Sequence, residues 1–121
     1  MVGDNAVDYL ARTDTVRIAT ELRDGGEVVT PIWAVVVDGV PYVRSGYGDT
    51  SKWYRRVRRT GRATFVDGRQ RYPASVEAVH DERAIARVDE AFRAKYARYG
   101  GPLRAMLAPE VRGYTMRVTP R

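Results

Sequence analysis

Two glycine turns set close together leave this chain little choice of sheet. Asp24-Gly25-Gly26 and Asp38-Gly39 bracket the apolar run from Glu27 to Val37, and a strand-like segment lies on either side. Turns this short join antiparallel neighbours, whereas parallel strands need a crossover of roughly a dozen residues. Ahead of the first turn, Thr15 to Arg23 alternates. Val16, Ile18, Thr20 and Leu22 share one face and Arg17, Glu21 and Arg23 the other, as in a strand with one wet side. The bracketed run is apolar on both faces, with Val28, Ile32, Ala34 and Val36 opposing Val29, Trp33, Val35 and Val37. Such a strand is covered twice, centrally in a sheet or at an interface. Pro31 has no N–H to give a ladder, so pairing is expected to break or bulge there. Val40 to Ser45 is the third strand.

The remaining pattern alternates helices with strands. Asp4 to Arg12 is a short helix, capped by Asp4 or Asn5, with Val7 and Leu10 inward. A Gly-rich loop, Gly46 to Asp49, leads to Thr50 or Ser51 as cap of a helix running to about Arg59, with Trp53 and Val57 inward and Gly61 as its stop. Arg62–Val66 and Arg69–Val79 form a second hairpin about Asp67-Gly68. Glu82 to Tyr99 carries the strongest helical period, through Ile85, Val88, Phe92, Tyr96 and Tyr99, with Asp81 as cap and Gly100-Gly101-Pro102 as stop. One more turn over Leu103–Leu107 and a strand over Val111–Thr119 complete the chain. The expected fold is mainly β with helices: a six-stranded antiparallel barrel in one domain over residues 1–121.

Composition narrows the chemistry. Without cysteine there is no disulfide, thiolate metal site or cysteine nucleophile. No His or carboxylate cluster has metal-ligand spacing. No apolar stretch is long enough to cross a bilayer, and the N-terminus lacks the basic and apolar regions of a signal peptide, so the expected location is cytoplasmic. The 21 basic residues exceed the 15 acidic ones by six, and only Lys52 and Lys95 are lysines. An arginine-rich excess favours an anionic partner.

The ordered set Thr30-Pro31-Ile32-Trp33, Asp38-Gly39, Ser45-Gly46 and Ser51-Lys52-Trp53 resembles the flavin split-barrel superfamily. That superfamily includes pyridoxamine-phosphate oxidases and deazaflavin-dependent nitroreductases, and the likeness is greatest to an uncharacterised bacterial branch. It covers residues 12 to 80 well and the rest in element order. Many members carry Asn-Pro after the short helix, where this chain has Arg59-Thr60-Gly61. The resemblance implies a split barrel of the FMN-binding type, a homodimer, and an oxidoreductase that passes hydride to a small molecule. The implied cofactor is FMN, with the 8-hydroxy-5-deazaflavin coenzyme as alternative. The implied binding residues are Thr30, Pro31, Trp33, Ser45, Thr50, Ser51, Lys52 and Trp53.

The residues themselves support an anion site. A Gly-rich loop entering a helix presents unpaired N–H groups and a partial positive charge. Thr50, Ser51 and Ser45 add hydroxyls and Lys52 a point charge; alternatively Thr50 and Ser51 only cap the helix and Lys52 is solvated. Trp33 is either a wall for the flavin ring or core. His80, the single histidine, closes the fifth strand; it is either a proton donor near the ring or, as a lone histidine before a helix cap more often is, structural or solvated. Two other readings compete. Six basic residues from Lys52 to Arg62, interleaved with Trp53 and Tyr54, suit single-stranded nucleic acid, although Trp53 and Val57 serve better as helix core. A haem- or flavin-holding protein without catalysis is the other.

Overall fold

The computed structural model describes residues 2–121, with side chains from residue 5 onward. Seven strands are laid down in the order β1(Val16–Glu21), β2(Glu27–Ile32), β3(Ala34–Val37), β4(Val40–Arg44), β5(Arg62–Asp67), β6(Gln70–Ala78) and β7(Thr115–Pro120). Five helices accompany them: α1(Val2–Arg12), α2(Lys52–Thr60), α3(Glu82–Lys95), α4(Gly100–Leu107) and α5(Pro109–Arg112). Helix α1 begins upstream of both expected caps, and the Asp4 side chain lies outside the described residues.

All ladders are antiparallel, and the spatial order is β2-β1-β5-β6-β7-β4-β3. The two ends of that order, β2 and β3, are neighbours in the chain with only Trp33 between them. The sheet therefore closes on itself through one continuous run that changes partners midway. Up to Ile32 it pairs with β1, and from Ala34 it pairs with β4. Counted along the chain there are the six expected strands; counted by ladder there are seven. The break falls at Trp33 rather than Pro31, which sits in register opposite Arg17. A residue without an N–H is tolerated because β2 has a single neighbour there.

The partner exchange is held from outside by the end of α3. The Tyr96 hydroxyl accepts from the Ala34 N–H at 3.1 Å and lies within hydrogen-bond reach of the carbonyls of Asp14 (2.6 Å) and Ala34 (3.0 Å). Lys95 Nζ donates to the carbonyls of Leu10 (2.8 Å) and Ala34 (2.7 Å). The Tyr96 ring lies flat on Trp33, with centroids 4.0 Å apart and planes 4° from parallel. Side chains thus satisfy backbone groups that leave a ladder at this point.

The doubly apolar run serves two cores. Ile32, Ala34 and Val36 join the barrel interior with Leu10, Val16, Ile18, Val43, Phe65, Met116 and Val118. Trp33, Val35 and Val37 face outward and are covered by Val88 and Phe92 of α3 and by Tyr96 just beyond its end. Helix α2 plugs the interior with Trp53, Tyr54 and Val57. It ends where Gly61, at φ 72°, turns left-handed and donates to the Val57 carbonyl at 2.7 Å. No helix among the described residues is long and apolar enough to cross a membrane.

Candidate functional site

Where the partner exchange meets α2 and α4, the fold leaves a cleft of about 340 Å³ lined by Pro31, Ile32, Trp33, Arg44, Gly46, Tyr47, Trp53, Pro102, Ala105 and Met106. That volume falls in the range of small-molecule sites, and the mostly apolar lining with few polar groups is their usual character. The elements explain the lining. Trp33 projects outward because it interrupts both ladders, Trp53 reaches the cleft from the first turn of α2, and Arg44 arrives from the last position of β4 on the face that Tyr42 also occupies.

Arg44 is the unusual member, with a side chain that is fully buried. Its Nε donates to Thr115 Oγ1 at 2.8 Å and its Nη1 to the Met106 carbonyl at 3.0 Å. Nη1 also lies 2.8 Å from Asp89 Oδ1. Its Nη2 donates to nothing, and Asp89 Oδ1 accepts nothing in hydrogen-bonding geometry; these are the buried side-chain polar atoms without a partner among the described residues. Burial draws the guanidinium below its ordinary pKa, while Asp89 acts in the opposite direction. Asp89 Oδ2 accepts from Arg112 Nε at 2.8 Å, so one carboxylate serves two guanidiniums. Arg44 thus sets a buried positive charge in the wall of an otherwise aromatic and apolar cleft.

The expected site residues are divided by the structure. Pro31, Trp33 and Trp53 come together in this cleft. Thr30 sits in β2 opposite Ile18, outside the lining. Ser45 is fully buried and donates to the Gly48 carbonyl at 2.7 Å, and Thr50 donates to the Tyr47 carbonyl at 2.6 Å. Both hydroxyls therefore close the Gly-rich loop on itself. Gly48 holds that loop at φ 61°, and a Cβ there would stand 3.2 Å from the Tyr114 ring. Ser51 occupies the N-cap position of α2 without a side-chain cap bond, which leaves its hydroxyl uncommitted beside the exposed Lys52. Thr50 lines a separate surface cleft with Asp49, Tyr54, Arg55, Arg58 and Tyr114, and Lys52 lines another with four arginines. His80 is exposed between β6 and α3 and lines none of these clefts.

Sequence reasoning missed Arg44, Tyr47 and the α4 wall. One signal was available. Asp89 sits on the apolar stripe of α3 beside Ile85, Val88 and Phe92, and a carboxylate in that position needs a buried cation.

The fold is that of a split barrel, and solved structures with this fold match it along nearly the whole chain. A putative pyridoxamine 5'-phosphate oxidase from Listeria innocua is 14% identical with a TM-score of 0.68, over 100% of this chain and 94% of that one. HutZ, the heme storage protein from Vibrio cholerae, is 12% identical with a TM-score of 0.65, over 97% and 88%. An FAD binding protein from Mycobacterium smegmatis is 19% identical with a TM-score of 0.59, over 96% and 88%. Residues 6–118 match the family model described as "Uncharacterized protein conserved in bacteria (DUF2255)", and the chain belongs to that family. No curated protein matches the sequence.

Proposed function

We propose that this chain binds a flavin-type cofactor in the cleft between Trp33, Trp53 and α4, and acts as an oxidoreductase on a small molecule. One observation carries the reading: two indoles and a buried guanidinium line one cleft of about 340 Å³. The indoles offer flat apolar walls to a fused ring system, and Arg44 offers a fixed positive charge to its electron-rich edge. A bound flavin supplies the hydride chemistry, and the protein supplies binding, orientation and electrostatics. The lining contains no carboxylate or histidine, and its residues are assigned to positioning and desolvation. Ser51 and Lys52, at the start of α2, hold the cofactor phosphate. FMN, which needs one such pocket, is the favoured cofactor, with the 8-hydroxy-5-deazaflavin coenzyme as alternative.

The second reading is a haem-holding protein without catalysis, and the heme storage relative supports keeping it. Against it stands the position of His80, the single imidazole, away from the cleft. Two copies are proposed to pack across the outer face of β2, because Val29 (45% exposed) and Tyr47 (83% exposed) leave apolar surface beside the cleft. Incubation of the purified chain with FMN, the deazaflavin and haem in turn, followed by desalting, tests the assignment. Retention of a flavin or deazaflavin spectrum supports it, retention of haem alone moves the chain to the second reading, and no retained chromophore removes both.

A further inference from the structure

The charge of this chain is concentrated in one place. Between Thr50 and Val66 lie six cations, Lys52, Arg55, Arg56, Arg58, Arg59 and Arg62, and no acid, which leaves fifteen cations against fifteen acids elsewhere. The entire excess of six therefore belongs to α2 and the first residue of β5. Many arginines elsewhere find carboxylates, as Arg71 does with Glu27 and Arg112 with Glu82 and Asp89. On α2, no carboxylate among the described residues comes within ion-pair distance of Lys52, Arg55, Arg56 or Arg59.

Four of these cations share a cleft. Lys52, Arg55, Arg56 and Arg59 recur at helical spacing on the outer face of α2, and Arg23, from the β1–β2 turn, joins them around a space of about 270 Å³. Five like charges surround room for roughly nine water molecules, an arrangement whose self-repulsion an anion relieves.

We propose that this cleft binds a diphosphate group, carried either by inorganic pyrophosphate or by a nucleotide. A diphosphate places several negative charges in a small volume and presents oxygens to arginine forks. A chain of carboxylates spreads one charge per residue, about 3.5 Å of extended backbone, and cannot match that density here. Single-stranded nucleic acid needs aromatic platforms, and Trp53 and Tyr54 are buried on the opposite side of α2. The cleft shares Lys52 with the proposed cofactor phosphate, and its test therefore omits flavin and alters only Arg23 and Arg56.

Calorimetric titration of the purified chain, without added flavin and at low salt, tests it with pyrophosphate, ADP, tri-glutamate and an oligothymidylate. Pyrophosphate and ADP are expected to bind, with affinity falling as salt rises and dropping more than tenfold in Arg23→Glu/Arg56→Glu. Equal affinities identify the diphosphate itself as the ligand, and tighter ADP identifies a nucleotide source. Circular dichroism checks the fold, and Arg23→Gln/Arg56→Gln, with an expected loss of at least threefold, replaces the charge reversal if that variant is unfolded. Absence of binding by both phosphates, wild-type affinity in the folded variant, or stronger binding of tri-glutamate or oligothymidylate overturns the proposal.

Discussion

Arg44 and Asp89 face each other in the protein interior at 2.8 Å, and each keeps one polar atom without a hydrogen bond. The pair joins β4 to α3 beneath α4, and the carboxylate also anchors Arg112. Removing one member of a buried pair strands the other charge, at a cost of about 3–5 kcal/mol, whereas replacing both with apolar residues is often neutral. Arg44→Met and Asp89→Leu are each expected to lose stability of that order in urea unfolding, and the double variant to lose less than either. If the cleft holds a flavin, Arg44→Met should also weaken its binding, while Asp89→Leu tests whether that effect is more than loss of support.

Lys95 and Tyr96 give the partner exchange at Trp33 a pH dependence at alkaline values. Burial lowers Lys95 from 10.5 to about 8 and pushes Tyr96 from 10.0 up to about 12. Between about pH 8 and 10.5 the unfolded chain holds more protons at Lys95 than the folded one, so its contribution makes stability rise with pH. A neutral amine retains two N–H groups for the Leu10 and Ala34 carbonyls. Tyr96 has the opposite sign. Its contribution is full below pH 10 and is lost as pH rises toward 12. Lys95→Met should flatten the first slope and Tyr96→Phe the second, read from urea midpoints across pH. Tyr96→Phe should in addition cost about 1–3 kcal/mol at neutral pH, because the Ala34 N–H loses its acceptor.

The phosphate assignment predicts that Ser51→Ala with Lys52→Ala weakens FMN binding more than tenfold, measured by quenching of flavin fluorescence. Ser45→Ala and Thr50→Ala should not reproduce this effect on affinity, because both hydroxyls are spent on loop carbonyls. Unchanged affinity in the Ser51/Lys52 variant would place the phosphate elsewhere.

Gly48→Ala should destabilise the loop by about 1–3 kcal/mol, the usual cost of a non-glycine residue in a sparsely populated backbone region, with the approach to Tyr114 adding to it. The thermal midpoint reads the change, and Gly113→Ala, which meets nothing within 4 Å, is the comparison.

The β2 surface predicts a light-scattering mass twice that of one chain. Val29→Arg should shift it toward a single chain without unfolding the barrel, since Val29 points away from the interior.

The fold was legible where local chemistry decides it. Asp24-Gly25-Gly26, Asp38-Gly39 and Asp67-Gly68 each turn a hairpin as expected. The exchange at Trp33 was not, because the groups that hold it, Lys95 and Tyr96, lie some sixty residues along the chain. The helical period read through to Tyr99 reflects packing rather than helix. Tyr96 and Tyr99 both meet Trp33, but α3 itself ends at Lys95. Gly100-Gly101-Pro102 looked like a stop and instead forms the first turn of α4, where proline loses no hydrogen bond. Pro109–Arg112 similarly forms a short helix, and β7 starts at Thr115 rather than Val111. At the site, the indoles were visible as aromatic positions in a resembling pattern. Arg44 was hidden because an arginine at the end of a strand ordinarily faces water, and only the tertiary placement of Asp89 draws it inward.

The position of β7 between β6 and β4 has a kinetic consequence. Both early hairpins and the β5–β6 hairpin can form as the polypeptide emerges from the ribosome, yet the strand that joins these two halves follows all of them along the chain. Until Thr115–Pro120 arrives, β4 and β6 each display an unsatisfied edge, the kind that recruits other chains. Closure then requires pairing across more than seventy residues between β4 and β7, a separation that slows folding. The barrel is therefore most exposed to aggregation in the interval before β7 pairs with β4 and β6.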